Sequence, residues 1–164
     1  MVDDGRPQVL VRGVLDVVLR RATVSEILAL RHAELRPGLP RATAEFDGDA
    51  KPTTRHFAAF ATRPGDVAIA CASFMVEAYE GRAAYQMRGM ATRADLARRG
   101  IGTALLRYAL ADLVLRDDAR LFWCNARVAA VPFYRRMGWD MASDVFDVPT
   151  VGPHHVMTFV ADAT

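Results

Sequence analysis

The sequence predicts an α/β domain: a mixed, mostly antiparallel central sheet flanked by helices on both faces. Three observations lead there. The runs His56–Thr62, Val67–Val76 and Ala83–Thr92 are β-rich and joined by short turns, which is the order of an antiparallel meander. Apolar residues at 101, 104, 105, 108, 109 and 113 then recur at helical spacing. Beyond that helix the chain continues with a short apolar strand, a short helix and two more strands. A chain of 164 residues is large enough to bury a core as one domain, read here as 1–164, with 1–13 either flexible or an edge strand.

Each element has a local reason. Residues 14–21 (VLDVVLRR) alternate loosely and are rich in Val and Leu, which suits a strand. Thr23-Val-Ser-Glu26 is a capping box, in which the threonine hydroxyl and the glutamate carboxylate satisfy first-turn amides. The helix it opens, through Ile27, Leu28, Leu30, Arg31 and Leu35, stops at Arg36-Pro37-Gly38 because proline cannot continue it. From there to Lys51 no period is visible, and a loop that long in a compact domain is commonly functional or mobile. Arg63-Pro-Gly-Asp66 and Glu80-Gly-Arg82 read as turns. Gly102–Leu115 reads as a helix, Leu121–Cys124 as a buried strand, and Val131–Met137 as a short helix ended by Gly138. Two last strands are read over Trp139–Phe146 and Val156–Val160.

Composition excludes several classes. A net charge of +2 is too small for nucleic-acid binding by bulk electrostatics. No apolar run approaches the ~18 residues of a membrane span, and the acidic start MVDDG lacks the apolar core of a signal peptide. Cys71 and Cys124 are the only cysteines, each in an apolar run and without a second ligand at metal-site spacing. Together these features point to a soluble, cytoplasmic protein without a metal.

The chemistry concentrates in two places. Arg98-Arg99-Gly100-Ile101-Gly102-Thr103 follows a strand and opens a helix, where glycine lets backbone amides approach a ligand and the helix terminus favours an anion. That combination makes a phosphate or pyrophosphate cradle. A dinucleotide turn would need a third glycine where Leu105 stands, and a P-loop would need lysine where Thr103 stands. Taken alone, the same residues also describe a helix start with two solvated arginines. The second place is NARVAAVPFYRRMGW, residues 125–139. Asn125 stands at the carboxyl edge of its strand, where ligands bind in open α/β sheets. Tyr134 on the next helix reads on its own as a core tyrosine with a satisfied hydroxyl, and Cys124 as a small buried hydrophobe.

The two motifs together resemble the GNAT superfamily of acyl-CoA-dependent N-acyltransferases. The family's phosphate loop, Gln/Arg-x-x-Gly-x-Gly/Ala after a strand end, is matched by Met90-Ala91-Thr92 and then ARRGIG, Ala97–Gly102. Its second motif is matched by Asn125, Phe133-Tyr134 and Gly138-Trp139. The likeness of element order spans about residues 16–161, and LRPGLP, HFAAF and GPHHVM are similar to an uncharacterised bacterial branch. Ala97 departs from the pattern, since the family has Gln or Arg there; Arg98 or Arg99 is expected to supply that charge.

The resemblance implies an N-acetyltransferase with acetyl-CoA as co-substrate. It implies coenzyme A in a gap where the strand ending at Thr92 splays from the strand after it. Amides of Arg99, Gly100, Ile101, Gly102 and Thr103 would hold the pyrophosphate, and backbone near Met90 and Thr92 the pantetheine arm, one amide acting as oxyanion donor. Asn125, Arg127 and Phe133 complete the expected cofactor contacts, and Tyr134 is the expected general acid. The acceptor is expected to be a small primary amine or amino-acid derivative, approached through the first helix and the 37–52 loop; a homodimer is compatible with the family. The base is not assigned: Gln86 stands near a position where some members carry Glu, and Glu77, Glu80 and His56 are alternatives, with His154 and His155 favoured for binding or structural roles. A different class remains open beside the enzyme: an acyl-CoA-binding sensor or regulatory domain that has lost turnover.

Overall fold

A computed structural model describes residues 8–11, 15–62 and 67–162. The predicted Arg63–Asp66 turn lies outside the described residues. The described chain forms strands β1 (Gln8–Val11), β2 (Leu15–Ala22), β3 (Arg55–Ala61), β4 (Val67–Val76), β5 (Tyr85–Thr92), β6 (Leu121–Arg127), β7 (Asp140–Met141), β8 (Phe146–Val148) and β9 (Gly152–Val160). Its helices are α1 (Val24–Leu35), α2 (Ile101–Asp117) and α3 (Val131–Arg136), with short 3-10 turns at Arg41–Ala44, Ala94–Leu96 and Val128–Ala130. The ladders β1–β2, β2–β3, β3–β4, β6–β9, β7–β9 and β8–β9 are antiparallel, and β5–β6 is parallel. The fold is therefore the predicted mixed, mostly antiparallel α/β arrangement.

The described residues divide into two compact units, one up to Phe74 together with Gly89–Ala111, the other Met75–Arg88 with the chain from Asp112 onward. In the first unit, successive β3 residues face opposite ways, and each face meets a different helix. Ala58 and Phe60 pack with Cys71, Ala91 and the Ile27 and Leu30 side chains of α1. Phe57, pointing the other way, meets Tyr108 of α2 edge-on at 6.0 Å. The alternation of facing along HFAAF thus sends Ala58 and Phe60 to α1 and Phe57 to α2.

The start of α1 is the predicted capping box. Glu26 N donates to Thr23 Oγ1 at 3.4 Å, and Thr23 N donates to Glu26 Oε2 at 2.8 Å. Arg20 forks onto the same carboxylate at 2.8 and 3.2 Å. That hydrogen bond first, and the Thr23 amide second, lower the Glu26 pKa from 4.5 to about 2. A depressed carboxyl favours the folded state above its unfolded value, so this contribution is present above pH 4.5 and fades as the pH falls toward 2. Thr23→Ala should cost about 1 kcal/mol in urea denaturation at pH 7. Glu26→Gln should unfold more readily than the parent at pH 7, the two converging near pH 2.

In the second unit, α3 packs through an aromatic group. Tyr134 lies 5.4 Å from Trp139, and Trp139 stacks on Phe159 of β9 at 5.8 Å and 29°. Gly138, at φ +85°, ends the helix as predicted. Three predicted boundaries need correction. The strand read as Leu121–Cys124 runs on to Arg127, since β9 pairs with it from Leu121 to Arg127. That ladder also carries β9 back to Gly152, ahead of the predicted start at Val156. The strand read as Trp139–Phe146 breaks into β7 and β8, because Ala142 N bonds Val156 O at 2.8 Å and the Ser143 hydroxyl takes the Val156 amide at 2.8 Å. A side chain thereby occupies a position that a continuous ladder would give to backbone.

Candidate active site

The first unit holds the glycine-arginine segment and the strand end before it. Thr92 closes β5, and Arg93 N is tied to Ile69 O at 2.8 Å. Arg93 and Asp95 pair through two contacts of 2.6 and 3.1 Å. Ala97 is extended, Arg98 sits at φ +63° and Gly100 at φ +83°. Two left-handed residues in three reverse the chain, and only Gly100 takes that conformation without strain. The reversal delivers Ile101 to the first turn of α2, whose opening bond runs from Ala104 N to Gly100 O at 3.0 Å. The amides of Ile101, Gly102 and Thr103 precede that bond and have no acceptor within the helix.

Strand end and helix start are in close contact. A Cβ on Gly102 would lie 3.3 Å from Thr92 Oγ1 and 3.6 Å from Met90 Cε. Glycine at 102 therefore lets the helix start sit against the strand, a packing role beside the ligand role read from the sequence. Ala91 is buried beneath, whereas Ala97, Arg98, Arg99 and Gly100 are exposed. A Cβ on Gly100 would meet nothing within 4 Å. The first unit thus brings together Met90, Thr92 and the 97–103 segment, of which Ala97 to Gly100, including both arginines, are open to solvent.

The second unit holds the remaining site residues. On β6, Cys124 and Ala126 are buried while Asn125 and Arg127 are exposed, opposite Val156 and His154. Asn125 is thus inside the strand, on its exposed side, and not at its carboxyl edge. Phe133 is half-buried and lies 5.2 Å from Tyr134, edge to face. Tyr134 is 7 % exposed, and its hydroxyl is hydrogen-bonded to the Cys124 thiol. Burial first, and the Cys124 sulfur second, push the phenol well above its ordinary range, so it keeps its proton. The β5–β6 ladder is two pairs long, Tyr85 with Phe122 and Gln86 with Trp123.

Burial likewise pushes the Cys71 and Cys124 thiols up to about 12. Both are free cysteines at the floor of packed surfaces, which matches the sequence reading of Cys124 as a hydrophobe. A thiol reagent at pH 8 should leave both unlabelled in native protein and label both after unfolding in urea. Rapid labelling of the native chain would contradict their burial.

The candidate bases separate on geometry. His56 Nε2 faces Asp49 O at 2.9 Å, an acceptor, so this nitrogen carries the hydrogen. Nδ1 then accepts from Ser73 Oγ at 2.7 Å, and both nitrogens are committed to the interior. His154 Nδ1 and His155 Nδ1 likewise face carbonyls, of Gly152 at 2.7 Å and Ser143 at 3.0 Å. Glu77 and Glu80 are exposed, and Gln86 is half-buried. No group of three metal-ligating side chains occurs among the described residues. Nor does any described helix have the length and apolarity to cross a membrane.

A family model for the acetyltransferase (GNAT) domain matches residues 53–140, more than half of the chain. The chain belongs to the GNAT family. It is 28% identical over 142 residues to the uncharacterized N-acetyltransferase YitI of Bacillus subtilis (strain 168), covering 85% of this chain and 93% of that protein. The crystal structure of Escherichia coli ElaA superimposes with a TM-score of 0.68 at 15% identity, over 88% of this chain and 99% of that one. An aminoglycoside 6'-N-acetyltransferase solved with coenzyme A gives 0.67 at 11% identity, over 87% and 96%. Those two structures share the GNAT fold with this chain. As a family member the chain is an N-acetyltransferase enzyme.

What the sequence did not single out is a buried polar group in the first unit. Arg31 is fully buried and donates to Asp49, Ala44 O and Ser73. A lone arginine at the Ile27 and Leu30 stripe of α1 was the available signal, since charge on an apolar stripe demands a partner.

Proposed function

We propose that this GNAT enzyme transfers an acetyl or other short acyl group from acyl-CoA to the primary amine of a small-molecule or amino-acid-like acceptor, by direct attack with both substrates bound. Support comes from one observation: in the first unit, the start of α2, whose first amides have no i−4 acceptor in the helix, is packed against Met90 and Thr92. The fit to a pyrophosphate is chemical as well as steric. Donors of one sign converge at a helix N-terminus, the Gly100 position opens to solvent, and Arg98 and Arg99 add positive charge. Ala97 contributes backbone alone.

In this proposal the amides of Arg99 to Thr103 hold the pyrophosphate, and the backbone of Met90, Ala91 and Thr92 holds the pantetheine arm and polarises the thioester carbonyl. Asn125 hydrogen-bonds the pantetheine, with Phe133 and Arg127 beside it. Tyr134 gives its proton to the departing thiolate, and holding two substrates together supplies much of the rate.

Calorimetry with acetyl-CoA, followed by thiol release across a panel of amino acids, polyamines and aminoglycosides, tests this. Binding with turnover on one class supports it and names the acceptor. Binding without turnover on any amine would make the chain an acyl-CoA sensor. Failure to bind any CoA ester would overturn the site.

A further inference from the structure

Arg31 occupies a position where a leucine would satisfy α1. It lies on the stripe of Ile27 and Leu30, and it is 0 % exposed. Burying a charge there is costly unless partners surround it, and a well-packed apolar residue is often no worse for stability. Its partners are widely separated in sequence. Nη1 donates to Ala44 O at 2.9 Å and to Asp49 Oδ2 at 2.7 Å; Nη2 donates to Asp49 Oδ1 at 3.2 Å and Ser73 Oγ at 2.7 Å. The guanidinium also stacks 4.2 Å from the centre of Phe46. The Ser73 hydroxyl that accepts from it passes its own hydrogen to His56, whose other nitrogen returns to Asp49 O. The Asp49 carboxylate further takes the Phe46 amide at 2.8 Å. The long segment after α1 is thereby tied into the interior, with Arg31 at the centre of its buried contacts.

The same side chain touches β5. Gly89, inside that strand, has φ +63°, and a Cβ there would lie 2.9 Å from Arg31 Nε and 2.8 Å from Phe46 Cε2. Arg31 Nε is buried and has no hydrogen-bond partner. A guanidinium placed only for its own bonding would not leave that N–H unsatisfied against a strand. One turn later on α1, Glu34 Oε1 accepts the Ala94 amide at 3.2 Å. The two contacts fall on either side of Met90–Thr92: Gly89 before it and Ala94 after it.

We propose that Arg31 is a positioning residue. Through Asp49 and its contact beneath Gly89, and with Glu34 one turn on, it sets the register of the Met90–Thr92 backbone against α1 and the 41–49 segment. This role rests on the reading above that Met90–Thr92 holds the acyl donor. Small displacements of a reacting group cost large factors in rate while leaving remote binding contacts intact. The pyrophosphate amides lie beyond Ala94 and anchor the donor there, so turnover should fall further than donor binding.

The test compares Arg31→Lys, which keeps the charge but loses the fork, with Glu34→Ala, a change at a half-buried position that removes the Ala94 contact and the attraction to Arg93. Steady-state kinetics and amide hydrogen exchange are measured on the full chain. Arg31→Lys should lower kcat by roughly 10- to 100-fold, with the KM for acetyl-CoA within about twofold, and exchange should quicken selectively at Gly89–Thr92. Glu34→Ala should give a smaller kcat loss of the same kind at an unchanged denaturation midpoint. Wild-type kcat and wild-type exchange at Gly89–Thr92 in both folded variants would overturn the proposal. A uniform loss tracking the folded fraction would do so too. Should Arg31→Lys not fold, Glu34→Ala decides alone. If the parent binds no CoA ester, the donor reading fails, while exchange at Gly89–Thr92 still reports whether Arg31 sets this backbone.

Discussion

Tyr134→Phe is expected to lower kcat by about 10²- to 10⁴-fold, the range for loss of a general acid, with little change in the KM for acetyl-CoA. The prediction is sharp because the ring itself is a packing element. Phenylalanine keeps the contacts with Phe133 at 5.2 Å and Trp139 at 5.4 Å, so α3 stays folded. What disappears is the hydroxyl and its hydrogen bond with Cys124, a loss of about 1 kcal/mol in stability. The hydroxyl is protonated throughout the neutral range because burial holds its pKa well above 10. A raised pKa means the proton is retained as the pH climbs, so Tyr134 should impose no alkaline fall in rate below pH 10. A Phe variant retaining half the parent kcat on its best acceptor would remove Tyr134 from the mechanism.

Gly89→Ala should cost about 2–5 kcal/mol in urea denaturation. Two independent effects add. A non-glycine residue held at φ +63° loses about 1–2 kcal/mol to the clash of Cβ with its own carbonyl. The new methyl also enters space held by Phe46 Cε2 at 2.8 Å and Arg31 Nε at 2.9 Å, and overpacking of this kind costs about 1–3 kcal/mol. Neither neighbour retreats easily: Arg31 is pinned by four hydrogen bonds and Phe46 lies under its guanidinium. A loss below about 1 kcal/mol would show that β5 straightens when glycine is removed.

How legible each part was depended on the range of the interactions that form it. The Thr23–Glu26 box, the arrest of α1 before Pro37 and the start of α2 depend on neighbours within four residues; the first two appear where the sequence put them, and α2 begins one residue ahead of the Gly102 read from the sequence. The segment after Trp139 misread as one strand because Ser143 competes for a β9 amide thirteen positions away. The loop after α1 carried no period because its order comes largely from distant partners: Arg31 bonds groups 13, 18 and 42 residues away, and His56 returns to Asp49 O. Gly89 was legible in part: a glycine inside a strand pattern marks a bend or a close approach, though nothing nearby in sequence says that an arginine is what approaches. Asn125 and Tyr134 stood out by motif; their local setting, one exposed on β6 and one bonded to a thiol, required the folded chain.

The burial of both cysteines has a consequence for a protein that, on the proposed reaction, liberates a thiol at every turnover. Coenzyme A accumulating beside an accessible cysteine can be trapped with it as a mixed disulfide once any oxidant is present, and the enzyme then inactivates in proportion to its own output. Such exchange needs a thiolate within reach. With Cys71 and Cys124 enclosed and held as thiols up to about pH 12, the folded chain has no partner to contribute. Its resistance to its product under oxidising conditions should end only when it unfolds.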